Sequence, residues 1–198
     1  ADQTRPITGQ THYDTIAQDT IATAVSDLIT VGAAPLFVHA YWAVGGSGWF
    51  DDEPRMRDLV TGWQQTCDAI GVSWGGGETP SLAGVVAPGA IDLAASCVGL
   101  IRPKSRLTLG HDLQPGDAII LLASSGIHAN GLTLARKLAE RLEAGYATPI
   151  GDGRPYGAAL LDPTYIYAPI TAALFEAGVT VRYLSNIKES SRAGHPET

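Results

Sequence analysis

Three consecutive glycines followed by an acid and a hydroxyl, Gly75-Gly76-Gly77-Glu78-Thr79, are the residues best suited to meet a phosphate, because backbone without side chains lets amide N–H groups reach an anion. The run follows a short apolar stretch, Ile70 to Trp74, and is expected to be a bare polar loop leaving a strand. Two readings fit it. In one, the amides of Gly75, Gly76 and Gly77 surround phosphate, Glu78 reaches a cation and Thr79 adds a hydrogen bond. In the other, a tight turn simply requires glycine.

A second junction of the same kind lies downstream. Ala118 to Ala123 reads as an apolar strand that runs into Ser124-Ser125-Gly126-Ile127-His128-Ala129-Asn130-Gly131 and then a helical pattern. Free N–H groups where a loop enters a helix favour an anion, and His128 has the chemistry of an acid, a base or a phosphate donor. A lone loop histidine also serves structure alone. Two such junctions point to a phosphate-handling enzyme.

Carboxylates complete the set. Asp19 and Asp27 are eight residues apart on an expected helix, about 12 Å along its axis. Magnesium is held by one or two carboxylates together with waters and substrate phosphates, so Asp27 with Glu78 forms a candidate metal pair; solvated helix acids are the alternative. The common fingerprints are missing: there is no G-x-x-x-x-G-K-[ST], and no G-x-G-x-x-G opens a helix after a strand. Ser124-Ser125-Gly126 does not match the G-x-S-x-G elbow, and the other histidines lack metal-ligand spacing.

The elements that must position these residues follow from periodicity. Residues 14–32 read as a helix with Ile21, Ala24, Val25, Leu28 and Ile29 on one face, ending at Gly32. A strand is expected over Pro35–Val44. A helix over about 54–70 carries Met56, Leu59, Val60, Trp63, Cys67 and Ile70 on its stripe, with Pro54 near its start and Gly71 at its end. Ile91–Ile101 is apolar enough for a strand buried on both faces. Beyond a connector, helices are expected at about 131–143 and 163–177 and a strand over Val179–Leu184. The aromatics Tyr41, Trp42, Trp49 and Phe50 read as a subunit interface rather than a base-stacking platform.

Composition narrows the class. The chain has 198 residues, 45% hydrophobic and 17% charged, with a net charge of −7. That is a folded protein without the basic surface that nucleic acid requires. No apolar run approaches the roughly 20 residues of a membrane span. With no signal-peptide pattern at Ala1 to Pro6, the expected compartment is the cytoplasm, where Cys67 and Cys97 are expected as buried free thiols.

Six blocks, taken in order, resemble the aminoimidazole ribonucleotide (AIR) synthetase family, the phosphoribosylformylglycinamidine cyclo-ligases of purine biosynthesis. They are Tyr13 to Asp19, Val25 to Leu28, Gly32 to Phe37, Gly76 to Thr79, Ile91 to Ala94, and Ser124 to Gly131. The superfamily also contains thiamine-monophosphate kinase and the hydrogenase maturation dehydratase. The resemblance implies an α/β (α+β) fold: an N-terminal, ferredoxin-like, barrel-forming dimerisation lobe over residues 1–112 and a partial C-terminal α/β lobe over 113–187. Residues 188–198 are expected to be a disordered tail.

It further implies a homodimer using ATP and Mg²⁺ on a phosphoribosyl amidine, with no nucleic-acid or membrane partner. Asp14, Asp19, Gly75, Gly76, Gly77 and Thr79 would then contact ATP, Asp27 and Glu78 the metal, and Ser124, Ser125, Gly126, Asn130 and Gly131 the substrate, with His128 and Asp27 catalytic. The implied reaction is ATP-dependent closure of formylglycinamidine ribonucleotide to aminoimidazole ribonucleotide. Alternatives are phosphoryl transfer to another small substrate, as in a thiamine-monophosphate kinase-like enzyme, and a non-catalytic dimerising fragment. The family's glycine-rich segment with an acid and lysine does not precede Tyr13, and Asn186-Ile187 runs into Lys188 without a Thr-Gly-Gly-like continuation. The chain is therefore expected to be an internal part of a longer polypeptide. Residues 38–45 and the insert 47–52 match the cyclo-ligase only loosely, which keeps a paralogue with another substrate open.

Overall fold

In a computed structural model that describes residues 1–186, the short helix α1 (Arg5–Thr8) leads into α2 (Tyr13–Ile29), whose three faces organise the molecule. Ala17, Ile21, Val25 and Ile29, spaced by four, form its buried stripe. The helix stops three residues before the expected Gly32. That glycine has φ 82°, and its N–H closes the last turn on the Ile29 carbonyl at 2.9 Å.

Strand β1 (Ala34–Val44) follows, then α3 (Glu53–Ile70), started by the Asp52 carboxylate accepting from the Arg55 N–H at 3.2 Å and ended by Gly71 in the left-handed conformation. Strand β2 (Ser73–Glu78) lies parallel to β1 across the α3 crossover, and β3 (Ile91–Leu100) lies antiparallel on the other side, giving the order β2-β1-β3. Both long helices cover one sheet face. There Val38, Ala40, Trp42 and Val44 of β1 pack with Leu59, Trp63 and Cys67 of α3. Trp42 and Trp63 meet edge to face at 5.4 Å, and the Trp74 ring lies 5.9 Å from that of Trp63.

The second lobe holds α4 (Leu132–Ala139), α5 (Tyr156–Ala159) and α6 (Ala168–Glu176). It joins the first through Ala168, which is buried in the first lobe's core.

Several expectations change. The glycine run is the strand β2 itself, not a loop, and Gly77 is there because a Cβ would stand 2.2 Å from the Ala40 carbonyl oxygen of β1. Strand β3 alternates half-buried and exposed residues instead of being buried on both faces, since helices cover only one side. Residues 118–123 form no strand, and Ile119, Ile120 and Leu121 are about four-fifths exposed or more, at 89, 79 and 80%. A strand needs a partner, and none lies beside them among the described residues.

The helix expected over 163–177 begins only at Ala168, because residues 163 and 164 are engaged elsewhere; that expected over 131–143 ends at Ala139. Val179–Leu184 is reduced to one bridge between Tyr183 and Leu109. Trp42 and Trp49 are core residues, 4 and 3% exposed, while Tyr41 faces outward. Both cysteines are free, Cys67 buried but Cys97 only half-buried, and burial pushes the Cys67 thiol up to about 11. The expected tail, 188–198, falls outside the described residues.

Candidate active site

The second face of α2 lines a cavity of about 790 Å³. Ile16, Asp19, Thr20, Thr23, Ala24 and Asp27 recur at three- and four-residue steps, which is one helical stripe. Strand β3, an edge of the sheet, supplies Ile91 to Ala95 opposite them, and Ala129, Leu132 and Arg136 of the second lobe close the third side. The cavity thus brings together Asp19, Asp27 and Asp92 with one guanidinium, in a volume typical of small-molecule sites. Asp92 borders the cavity from the exposed face of β3, on the side opposite Ile91 and Leu93, and its register opposite Ala43 is set by the antiparallel pairing. At the N-terminal end, the Tyr13 hydroxyl donates to Asp2 at 2.9 Å.

Asp19 is the most constrained of these groups. It is 8% exposed, and its Oδ1 accepts from the Thr164 N–H at 2.8 Å. Burial raises its pKa above the usual carboxylate range, opposed by the Thr164 hydrogen bonding and by the nearby His128. Asp27 is exposed at the rim.

A smaller cavity of about 110 Å³ adjoins this one, sharing Thr23 and Ala129. It is lined by Ala22 and Ser26 of α2 and by Ser124, Gly126, His128 and Asn130 of the 124–131 loop. Within that loop, His128 Nε2 accepts from the Ser125 N–H at 3.0 Å, and Ser125 Oγ lies 2.8 Å from the same nitrogen. A ring nitrogen that accepts an N–H does so through its lone pair. His128 sits at φ 57°, a conformation a non-glycine residue keeps only when its surroundings impose it. Gly131, at φ 74°, precedes α4.

The remaining residues lie apart. Asp14 is five residues from Asp19, so it falls on the third face of α2, against α3, in a groove with Thr15, Gln18, Gly62 and Thr66. Gly75, Gly76, Gly77, Glu78 and Thr79 are all exposed and lie on the far edge of the sheet from the cavity, where Glu78 pairs with Tyr41. Asp27 and Glu78 therefore do not share a cavity. Among the described residues, no three His, Cys, Asp or Glu side chains cluster as a metal site. Sequence reasoning missed Asp92 and Arg136. An acid interrupting the apolar Ile91–Ala94 block was a usable signal for the first, while Arg136 is brought in only by the packing of α4.

The AIR synthase related protein N-terminal domain matches residues 3–101, and the C-terminal domain of the same family matches 114–182. The phosphoribosylformylglycinamidine cyclo-ligase of Sorangium cellulosum is 41% identical over 187 residues, 92% of this chain and 52% of that protein. The enzyme of the same name from Albidiferax ferrireducens is 39% identical over 163 residues, 82% of this chain and 45% of that protein.

The chain spans about half the length of the curated relatives it matches. Among solved structures, AaThiL complexed with AMPPCP and TMP aligns with TM-score 0.55 at 16% identity, over 82% of this chain and 46% of that one. E. coli HypE, a hydrogenase maturation protein, aligns with TM-score 0.53 at 18% identity, over 80% and 43%. At such identities these two establish likeness of fold. No helix among the described residues is long and apolar enough to cross a membrane.

Proposed function

We propose, because the chain belongs to the AIR synthase related protein family, that the polypeptide it represents is a cytoplasmic, homodimeric cyclo-ligase that closes formylglycinamidine ribonucleotide to aminoimidazole ribonucleotide at the expense of ATP. The observation that carries this reading is the 39 and 41% identity to two cyclo-ligases running through both lobes. The cavity between α2, β3 and α4 is the site it supports.

The donor set fits the groups the reaction needs. Asp27 and Asp92 offer two hard carboxylates, the number Mg²⁺ takes when phosphates and waters complete its shell, and Arg136 offers a charge-assisted donor to phosphate. Bound ATP supplies the phosphoryl group that turns the formyl amide oxygen into a leaving group before ring closure. Asp27 and Asp92 would hold the cation. Arg136 neutralises anionic charge from the second lobe. Ser124, Ser125, Gly126, Asn130 and Gly131 face the substrate with hydroxyl, amide and backbone groups, and the lobes exclude water between them. Catalysis of this kind comes from positioning and charge neutralisation.

The resemblance puts ATP at a dimer interface, and the exposure of Gly75 to Thr79 supports their contribution to a site that a second copy completes. The test is isothermal titration with ATP and Mg²⁺, followed by an assay of ADP release dependent on formylglycinamidine ribonucleotide. Asp27→Asn and Asp92→Asn are each expected to weaken nucleotide binding at least tenfold. Absence of saturable nucleotide binding by the unmodified chain overturns the reading.

A further inference from the structure

Thr164 is where the second lobe is fastened to α2. Its N–H donates to Asp19 Oδ1 at 2.8 Å, and its carbonyl accepts from Gln18 Nε2 at the same distance. Two neighbouring side chains of one helix thus hold both backbone polar groups of one residue of the other lobe. The next carbonyl back along the chain, that of Pro163, accepts from Ser125 Oγ at 2.8 Å. Ser125 is in turn held by His128 Nε2 through its N–H at 3.0 Å. A continuous series of hydrogen bonds therefore runs from Gln18 and Asp19, through Thr164 and Pro163, to Ser125 and His128.

We infer that Asp19 is a positioning residue that, with Gln18, fixes segment 163–164 and through it sets the conformation of the 124–131 loop. Three features support this over direct contact with nucleotide or metal. Asp19 is nearly buried, and a backbone N–H already occupies one of its oxygens. Its bond reaches 145 residues along the chain, so it closes an interlobe contact that local structure cannot make. His128, at φ 57°, is bonded through Nε2 to the Ser125 N–H, which ties the strained backbone of the loop to the position of Ser125. The consequence for turnover rests on the reading of 124–131 as the substrate-side loop; the positioning itself does not.

The experiment compares amide hydrogen exchange and ATP titration in the unmodified chain, Asp19→Ala and Asp19→Asn. Asparagine keeps an Oδ1 acceptor for the Thr164 N–H but surrenders the charge. Asp19→Ala is expected to speed exchange at Thr164 and Ser125 at least tenfold while the amides of Trp63 and Cys67 stay protected. Asp19→Asn is expected to stay within about twofold of the unmodified chain in both exchange and ATP affinity. Unchanged Ser125 exchange in Asp19→Ala overturns the inference. So does an Asp19→Asn chain that keeps its protected amides yet loses ATP affinity, because that is the signature of a carboxylate on the cation. Should Asp19→Ala not fold, Gln18→Ala decides in its place: several-fold faster Ser125 exchange supports the inference and no change overturns it. Failure of the unmodified chain to bind ATP would remove the cyclo-ligase reading and leave the exchange result standing.

Discussion

Asp19 carries a pH dependence whose sign is opposite to that of an ordinary surface carboxylate. Burial raises its folded-state pKa above the unfolded value, so between the two the folded chain binds more protons than the unfolded one. Stability contributed by this group is therefore greatest at acid pH, falls as pH rises through the unfolded carboxylate range, and reaches its floor above the folded pKa. Asparagine cannot ionise and still offers its oxygen to Thr164. Subtracting the Asp19→Asn stability profile from that of the unmodified chain should leave a curve that declines with rising pH across the acid range, read from urea midpoints at several pH values. A flat or rising difference would mean the carboxylate is not held in a desolvated site. From the sequence, Asp19 reads as a helix acid or a nucleotide contact; its actual bond partner, Thr164, sits too far along the chain for any local pattern to reveal.

Between elements, α2 and α3 approach each other closely. A Cβ on Gly62 would stand 2.4 Å from the Asp14 Cα and carbonyl oxygen, so the helices meet backbone to backbone. Mid-helix glycine costs about 1 kcal/mol relative to alanine. Gly62→Ala is nevertheless expected to destabilise, by about 1–3 kcal/mol, because overpacking at a rigid backbone outweighs the helix-propensity gain. Its neighbour Trp63 is fully buried, and Trp63→Ala should cost about 3–5 kcal/mol through loss of the tryptophan cluster. Denaturant midpoints check both, and a stabilised Gly62→Ala chain would mean the helices can separate freely.

These two helices and β1 were the most legible elements, since periodicity, Pro54 and Gly71 mark them without help from the rest of the chain. Legibility failed where structure depends on a partner. The apolar run 118–123 has strand composition but nothing described to pair with, and Gly75 to Gly77 look like a loop until β1 is placed beside them. There Gly77 clears the Ala40 carbonyl and Gly75 clears the His39 ring. The candidate site was half legible: Asp19, Asp27 and the 124–131 loop converge near one end of the cavity system, whereas Asp14 and Glu78 diverge through helix phase and strand order.

At the scale of the molecule, the sheet has one face too many for a single copy. Helices α2 and α3 cover the face of Trp42, while the opposite face presents Phe37, Tyr41 and Val98, with Leu36 and Leu100 at its end. Tyr41, Val98 and Leu100 are 37, 47 and 47% exposed, large apolar side chains on neighbouring strands with the His39–Ser96 pair between them. A second sheet of the same kind is a natural cover for such a face, because identical surfaces related by a two-fold axis bury their own apolar residues reciprocally.

Placing a charge at the centre of that surface should therefore separate copies without touching the core, since Tyr41 points away from Trp63 and the buried stripe of α2. Tyr41→Asp is expected to shift the sedimenting species from dimer to monomer at micromolar concentration, with the far-ultraviolet spectrum unchanged and ATP affinity reduced if the interface contributes to the site. A chain that sediments as a monomer before any substitution would sink the dimer reading. A Tyr41→Asp chain that remains a dimer would move the interface to another face of the sheet.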